Sequence, residues 1–288
     1  MRKASHILAV LAVATLLSGC VEKIAIGSIG SIMDNGFDVL NEESDLRLAQ
    51  TAVESNLKLL ESVLRSDPGN ERFLLLASIG YSSYALGFVE DDSLARAAFL
   101  YLRAKEYGMR ILRKNPRLGA ALGGSADDLR AELATLNKAD VPAVFWTATA
   151  WGSHIAASLT DPSALADLPK VETMMRFVLE RDPGYFHSGA DFFLGTLYGS
   201  RPKILGGDPD TSRRHFDACI RRTGGRFLMA YVYMARSNAV QTQDRELFEN
   251  CLTTVDTTSL DALPSARLSN AIAKRKAALL RAKADELF

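Results

Sequence analysis

Apolar residues recur along most of this chain at intervals of three and four. Leu46, Ala49, Val53, Leu57, Leu60 and Leu64 open the series, and that spacing predicts one buried face of an amphipathic helix. No segment shows the sustained apolar–polar alternation of a strand, so the chain reads as all-α.

The helix ends repeat. VLRSDP at 63–68, ILRKNP at 111–116 and VLERDP at 178–183 each place an apolar pair before two mostly polar residues, Asp or Asn, and Pro. The residue before proline is forced out of helical geometry, so each motif predicts a stop. Pro68 to Gly80 and Pro183 to Gly195 are both twelve residues, and each glycine follows an apolar residue, as does Gly152 after Trp151. A glycine inside a helix costs about 1 kcal/mol relative to alanine, so close helix–helix approach is expected there. FDACI at 216–220 and FENCL at 248–252 are offset by 32 residues. Leu194-Gly195-Thr196-Leu197-Tyr198 followed by Ser212 and Phe216 approaches the 34-residue tetratricopeptide pattern, with Ser in place of Ala. The expectation is a tetratricopeptide-like helical hairpin solenoid or bundle of about four degenerate repeats, forming one domain over 45–288. Cys219 and Cys251 occupy equivalent small positions on successive helices of that pattern. Packed helix axes lie about 8–10 Å apart and a disulfide wants Cα atoms within about 7 Å, so core packing is expected rather than a bridge.

The N-terminus changes the picture. Arg2 and Lys3 precede the eleven-residue apolar run ILAVLAVATLL, too short to span a membrane, and Leu17-Ser18-Gly19-Cys20 resembles a bacterial lipobox. The expected division is a lipoprotein signal peptide over 1–19, then a lipidated N-terminus and tether over 20–44 beginning at Cys20. Lipid at Cys20 would anchor the domain without a crossing helix. Val21, rather than Asp, after the cysteine points to the periplasmic face of the outer membrane. With 34 basic and 34 acidic residues the net charge is zero, which argues against nucleic-acid binding. The basic run AKRKAALLRAK at 273–283 reads as the solvated face of a last helix.

Candidate chemistry is sparse. YGSRPKILGGDPDTSRRHF, residues 198–216, lacks P-loop spacing and places Asp208 after Gly206-Gly207, where a phosphate would meet like charge. Asp208 and Asp210 without a downstream bidentate Glu do not make a calcium loop. The stretch reads instead as a helix start, with Asp208 as N-cap, Pro209 at the first helical position and Asp210 on the helix dipole. That leaves SRPKILGG longer than a hairpin turn needs, and such loops on rigid scaffolds tend to carry contacts. His154, His187 and His215 have no ligand spacing, so no metal is expected, nor any cofactor or catalytic residue. Trp146 and Trp151 sit roughly 140° apart on one helix; either both are core, which comes first, or one lines an apolar groove or tunnel.

Together EESDLRLAQTAVESNLKLLESVLRSDPGN, YSSYALGFVEDD, YLRAKEYGMRIL, VFWTATAWGSHI and LGTLYGSRPKILGGDPDTSRRHFDACI resemble the T-component of tripartite ATP-independent periplasmic (TRAP) transporters, from about Ser28 to about Leu252. The resemblance implies a periplasmic lipoprotein that is not an enzyme. Such a protein would associate with the transporter's substrate-binding protein and could self-associate as a homo-oligomer. On matching positions it implies Arg201, Pro202, Gly206, Gly207, Asp208, Trp146 and Trp151 as contact candidates. Two other readings stay open: a hydrophobic-ligand carrier with an apolar tunnel lined by residues such as Trp151 or Phe192, and a general tetratricopeptide lipoprotein of envelope assembly.

Overall fold

The computed structural model describes residues 32–33, 35–158 and 161–288. The signal segment 1–19, Cys20 and the first part of the expected tether lie outside the described residues. Residues 35–41, within that expected tether, are helical. Asn41–Phe288 forms one compact unit.

Every regular element among the described residues is helical, as the spacing of apolar positions predicts. The longer elements are α1 (Leu46–Ser66), α2 (Glu71–Tyr84), α3 (Leu94–Leu112), α4 (Pro116–Gly123), α5 (Ala126–Leu133) and α6 (Val141–Ala156). They continue as α7 (Leu168–Arg181), α8 (Tyr185–Gly199), α9 (Pro209–Arg222), α10 (Met229–Tyr233), α11 (Arg245–Thr257) and α12 (Arg267–Arg281). Two π-helical turns, Ala85–Val89 and Met234–Ala239, extend α2 and α10.

The proline stops hold at all three places. Asp67 and Asp182 leave helical geometry directly before Pro68 and Pro183, at φ −131° and −152°. At the third, α3 stops at Leu112, Asn115 is extended, and Pro116 also opens α4, with the Asn115 side chain accepting from the backbone N–H groups of Arg117 and Leu118. Asparagine followed by proline is as good a helix start as a stop, so the same local sequence serves the opposite end as well.

Packing follows chain order: α1 on α2, α2 on α3, α3 on α6, α6 on α7, and α8 on α9. The glycines do what their cost implied. A Cβ on Gly80 would lie 2.8 Å from Leu57 Cδ2, one on Gly195 3.0 Å from Phe216 Cγ, and one on Gly152 2.2 Å from Phe193 Cζ. Tyrosine–glutamate bonds tie helix pairs at their edges: Tyr84 Oη to Glu54 and Tyr81 Oη to Glu61 (both 2.6 Å) between α2 and α1, and Tyr198 Oη to Glu172 (2.5 Å) between α8 and α7. α6 runs through one core, with Val144, Phe145, Trp146, Ala148 and Trp151 packed among Leu129, Met174, Met175 and Val178. Cys219 and Cys251 are buried and free. Burial pushes both thiols up to about 12, so they are inert packing groups.

An open row of hairpins would end without touching its start, but here α12 returns to α1. The join is ionic. Lys276, with 3% of its side chain exposed, donates from Nζ to Glu90 Oε1 at 2.9 Å and to Asp91 Oδ2 at 2.8 Å. Glu90 also accepts from Tyr101 Oη at 2.7 Å, Tyr233 Oη at 2.8 Å and Arg236 Nη1 at 3.3 Å. Arg275 bonds the Gly87 carbonyl and approaches Asp91 at 3.5 Å. The run 273–283 is therefore not a solvated face throughout. Its Lys276 is buried because two carboxylates from the end of the first π turn are there to receive it.

Breaking a buried pair by removing one partner typically costs about 3–5 kcal/mol, because the other charge stays behind undressed. Lys276→Met should therefore lower the free energy of urea unfolding by about that much, whereas exposed Lys283→Met in the same basic run should stay within about 0.5 kcal/mol. The pH response has a fixed sign. Burial alone would raise the Glu90 carboxyl, but Lys276 and Arg236 outweigh it and hold it below its ordinary 4.5. A lowered folded value means the stabilisation is complete above pH 4.5 and is lost as pH falls through that lowered value. Unfolding midpoints measured from pH 7 to 3 should drop on the acid side, and drop less steeply in Lys276→Met.

Candidate functional site

The loop between α8 and α9 is built by its own backbone. Pro202 leads into a single 3₁₀ turn, Lys203–Leu205, and Gly206 closes it in left-handed geometry at φ 79°. The Leu205 and Gly207 N–H groups both donate to the Pro202 carbonyl, at 2.9 and 3.0 Å. A Cβ on Gly207 would sit 1.7 Å from the Arg201 carbonyl oxygen, so no other residue fits there without reshaping the loop. Arg201 folds inward: its Nε donates to the Leu197 carbonyl at 2.9 Å and its Nη1 to the Leu205 carbonyl at 3.3 Å. The Asp208 N–H donates to the Tyr198 carbonyl at 3.0 Å, which pins the two loop ends together.

Asp208 is the N-cap, accepting from the backbone N–H groups of Asp210 (3.1 Å) and Thr211 (3.0 Å). Its side-chain bond with the Thr211 hydroxyl holds the carboxyl below its ordinary range. Pro209 follows at the first helical position. Ser212, which stands where the repeat pattern has alanine, is fully buried and donates to the Gly195 carbonyl at 2.7 Å. The extra hydroxyl thus ties the start of α9 to the close-approach glycine of α8.

Arg201, Pro202, Gly206, Gly207 and Asp208 therefore come together as the frame of one loop. The structure separates Trp146 and Trp151 from them. Both indoles are core, with 4% and 3% of their surface exposed. Trp146 donates from Nε1 to Tyr185 Oη at 3.2 Å and meets Phe186 edge-on. Trp151 lies under the ammonium groups of Lys105 and Lys170, 4.2 and 5.9 Å from its ring centre. The wheel separation gave them different neighbours, but neither presents a surface to a partner. Phe192, the other ring expected to line a tunnel, packs edge-on against Phe227 and Tyr233 at 6.0 and 5.0 Å.

Two features had no marker in the sequence. Ile204 and Leu205, at the tip of the loop, are 92% and 63% exposed. At the opposite end of α8 from the loop, Phe186, His187 and Ser188 stand consecutively in left-handed geometry, at φ 45°, 56° and 61°. That geometry costs non-glycine residues on the order of 1–2 kcal/mol each. Buried Asp191 offsets part of it, accepting from Ser188 Oγ at 3.0 Å while also pairing with Arg222 and with His215 Nδ1 at 2.8 Å. His187 stacks on Phe227 at 5.1 Å, and burial lowers its imidazole. Ser188, Asp191 and His215 share an inventory with hydrolytic triads but not their order. Here the carboxylate takes the middle place, so no imidazole can accept the serine proton. The cluster clamps a strained turn.

Residues 42–288 match the family model described as TRAP transporter T-component. The chain belongs to that family. No curated protein matches it. A T-component is an accessory part of a TRAP transporter, so this one serves with the transporter complex. For this T-component the loop is the testable element. Gly207→Ala forces the loop to re-form, which should lower the melting temperature by about 2–4 °C or more. Trypsin should then cut after Lys203 faster than in the parent protein, as read by mass spectrometry of the fragments.

Proposed function

We propose that this T-component is a lipid-anchored periplasmic scaffold that docks the substrate-binding protein of its TRAP transporter through protein–protein contacts. Family membership over residues 42–288 supplies the transporter context. One observation carries the docking role: a closed helical body projects a rigid, internally bonded loop with an apolar tip. A preorganised element loses little entropy when it meets a partner, which is what a docking contact needs.

The anchor belongs to the same proposal. Signal-like residues 1–19, cleaved before Cys20, would leave the domain on a tether facing the periplasm, with the outer membrane as its bilayer. The stacked hairpins are, in this reading, degenerate tetratricopeptide-like repeats, and self-association would multiply the docking sites on one assembly. No reaction is assigned.

Co-isolation is the direct test. The affinity-tagged full chain, extracted in mild detergent from cells expressing the transporter's substrate-binding protein, should recover that protein in defined stoichiometry. Repeated recovery of the T-component alone, with the binding protein present and folded, would overturn docking. Cys20→Ala should move the domain from the membrane to the soluble periplasmic fraction; unchanged membrane attachment would overturn the anchor while leaving docking intact.

A further inference from the structure

The family-like residues of the loop are occupied with building it. Arg201 is spent on the Leu197 and Leu205 carbonyls, Pro202 supplies the acceptor for two N–H groups, and Asp208 caps α9. What the frame holds outward is Lys203, Ile204 and Leu205. Ile204 is the most exposed large apolar side chain of the described residues, at 92%. An aliphatic side chain held in water on a fixed loop, rather than folded against the helices beside it, forgoes roughly 1.5–3 kcal/mol of burial.

We infer that Ile204 and Leu205 form an apolar knob that enters a pocket on the substrate-binding protein, with Lys203 meeting a carboxylate at the pocket rim. The inference rests on the docking reading above. Charge decides what kind of surface is met. Lys203 is exposed and has no carboxylate partner among the described residues. Asp208 and Asp210 stand exposed at the base of the same loop. Anionic lipid recruits clusters of four to eight basic residues, each worth about 1 kcal/mol near the surface. One lysine with two aspartates behind it is poorly matched to that surface. It suits a protein pocket whose rim presents a single acidic group facing the lysine and keeps clear of the aspartates. The loop's length also fits: the repeat needs only a turn between α8 and α9, and the additional residues raise the tip away from the helices.

The test measures affinity between the purified T-component, lacking its lipid, and the purified substrate-binding protein of its own transporter, by calorimetry at two salt concentrations. Ile204→Ser with Leu205→Ser should weaken binding at least tenfold while leaving the melting temperature unchanged, because both side chains are solvated. Lys203→Glu should weaken it about two- to fivefold, more at low salt than at high. Leu279→Ser, at another exposed apolar position of the same molecule (47% exposed), should bind as the parent does. Gly207→Ala keeps the tip residues but loses their frame, and should also bind more weakly.

If the parent protein does not bind, the docking reading fails and takes the knob with it. If the parent binds and the Ile204→Ser, Leu205→Ser variant binds equally well, docking stands and the knob is wrong. Vesicles of phosphatidylglycerol supply the remaining arm. Retained protein binding together with lost vesicle flotation in the double variant would make the tip a membrane contact and overturn the inference.

Discussion

A lysine buried to 3% exposure is tolerable only where carboxylates await it, and in this chain those carboxylates come from the far end of the sequence. Lys276 on α12 reaches Glu90 and Asp91 at the end of the first π turn, 186 and 185 residues away. Around Glu90 the Tyr101 and Tyr233 hydroxyls and the Arg236 guanidinium complete the hydrogen bonding. Burying the ammonium without these groups would cost several kcal/mol, a large part of the stability of an ordinary domain. The seating of α12 against the end of the first π turn therefore depends on this cluster being satisfied.

The rest of the scaffold uses cheaper devices. Glycines at Gly80, Gly152 and Gly195 let helices approach to distances a methyl group would forbid, and tyrosine–glutamate bonds fix the register of paired helices at their rims. Most of these interactions join helices near one another in the sequence, so much of the scaffold can be assembled locally. The ionic cluster spans most of it. Against this stiff background the loop at 200–208 is held firm by hydrogen bonds to its own backbone and to the end of α8.

Local chemistry was legible in the sequence and distant chemistry was not. The face of α1 could be read from Ala49 to Leu64 because burial imposes its period on consecutive residues. The stops at Asp67 and Asp182 and the cap at Asp208 follow from sterics and hydrogen bonds within a few positions. Asn115-Pro116 shows the limit of that logic: α3 stops before it as expected, but the same dipeptide also starts α4, which the stop motif did not announce. Lys276 looked like solvated surface because its flanking alanines and basic residues say nothing about Glu90. The left-handed turn at Phe186 to Ser188 carries no glycine to announce it; what enforces it is Asp191, Arg222 and the stacked ring of Phe227. In the candidate loop, the residues that make it recognisable are those that shape it. The exposed tip, Ile204 and Leu205, has no pattern of its own and became visible only with solvent exposure.

The two π turns also set a limit on the length of the chain. A π turn is an α-helix carrying one residue more than its hydrogen-bond ladder needs, and each residue advances a helix by about 100°. The turn at Ala85–Val89 sets the phase at which Glu90 and Asp91 emerge, and the turn at Met234–Ala239 carries Arg236 beside Tyr233. Losing one residue from either would swing its charged side chains about a quarter-circle out of the cluster around Glu90. The ionic closure therefore constrains the number of residues in these two helices as well as their chemistry, and the buried side chains of both turns hold the same phase.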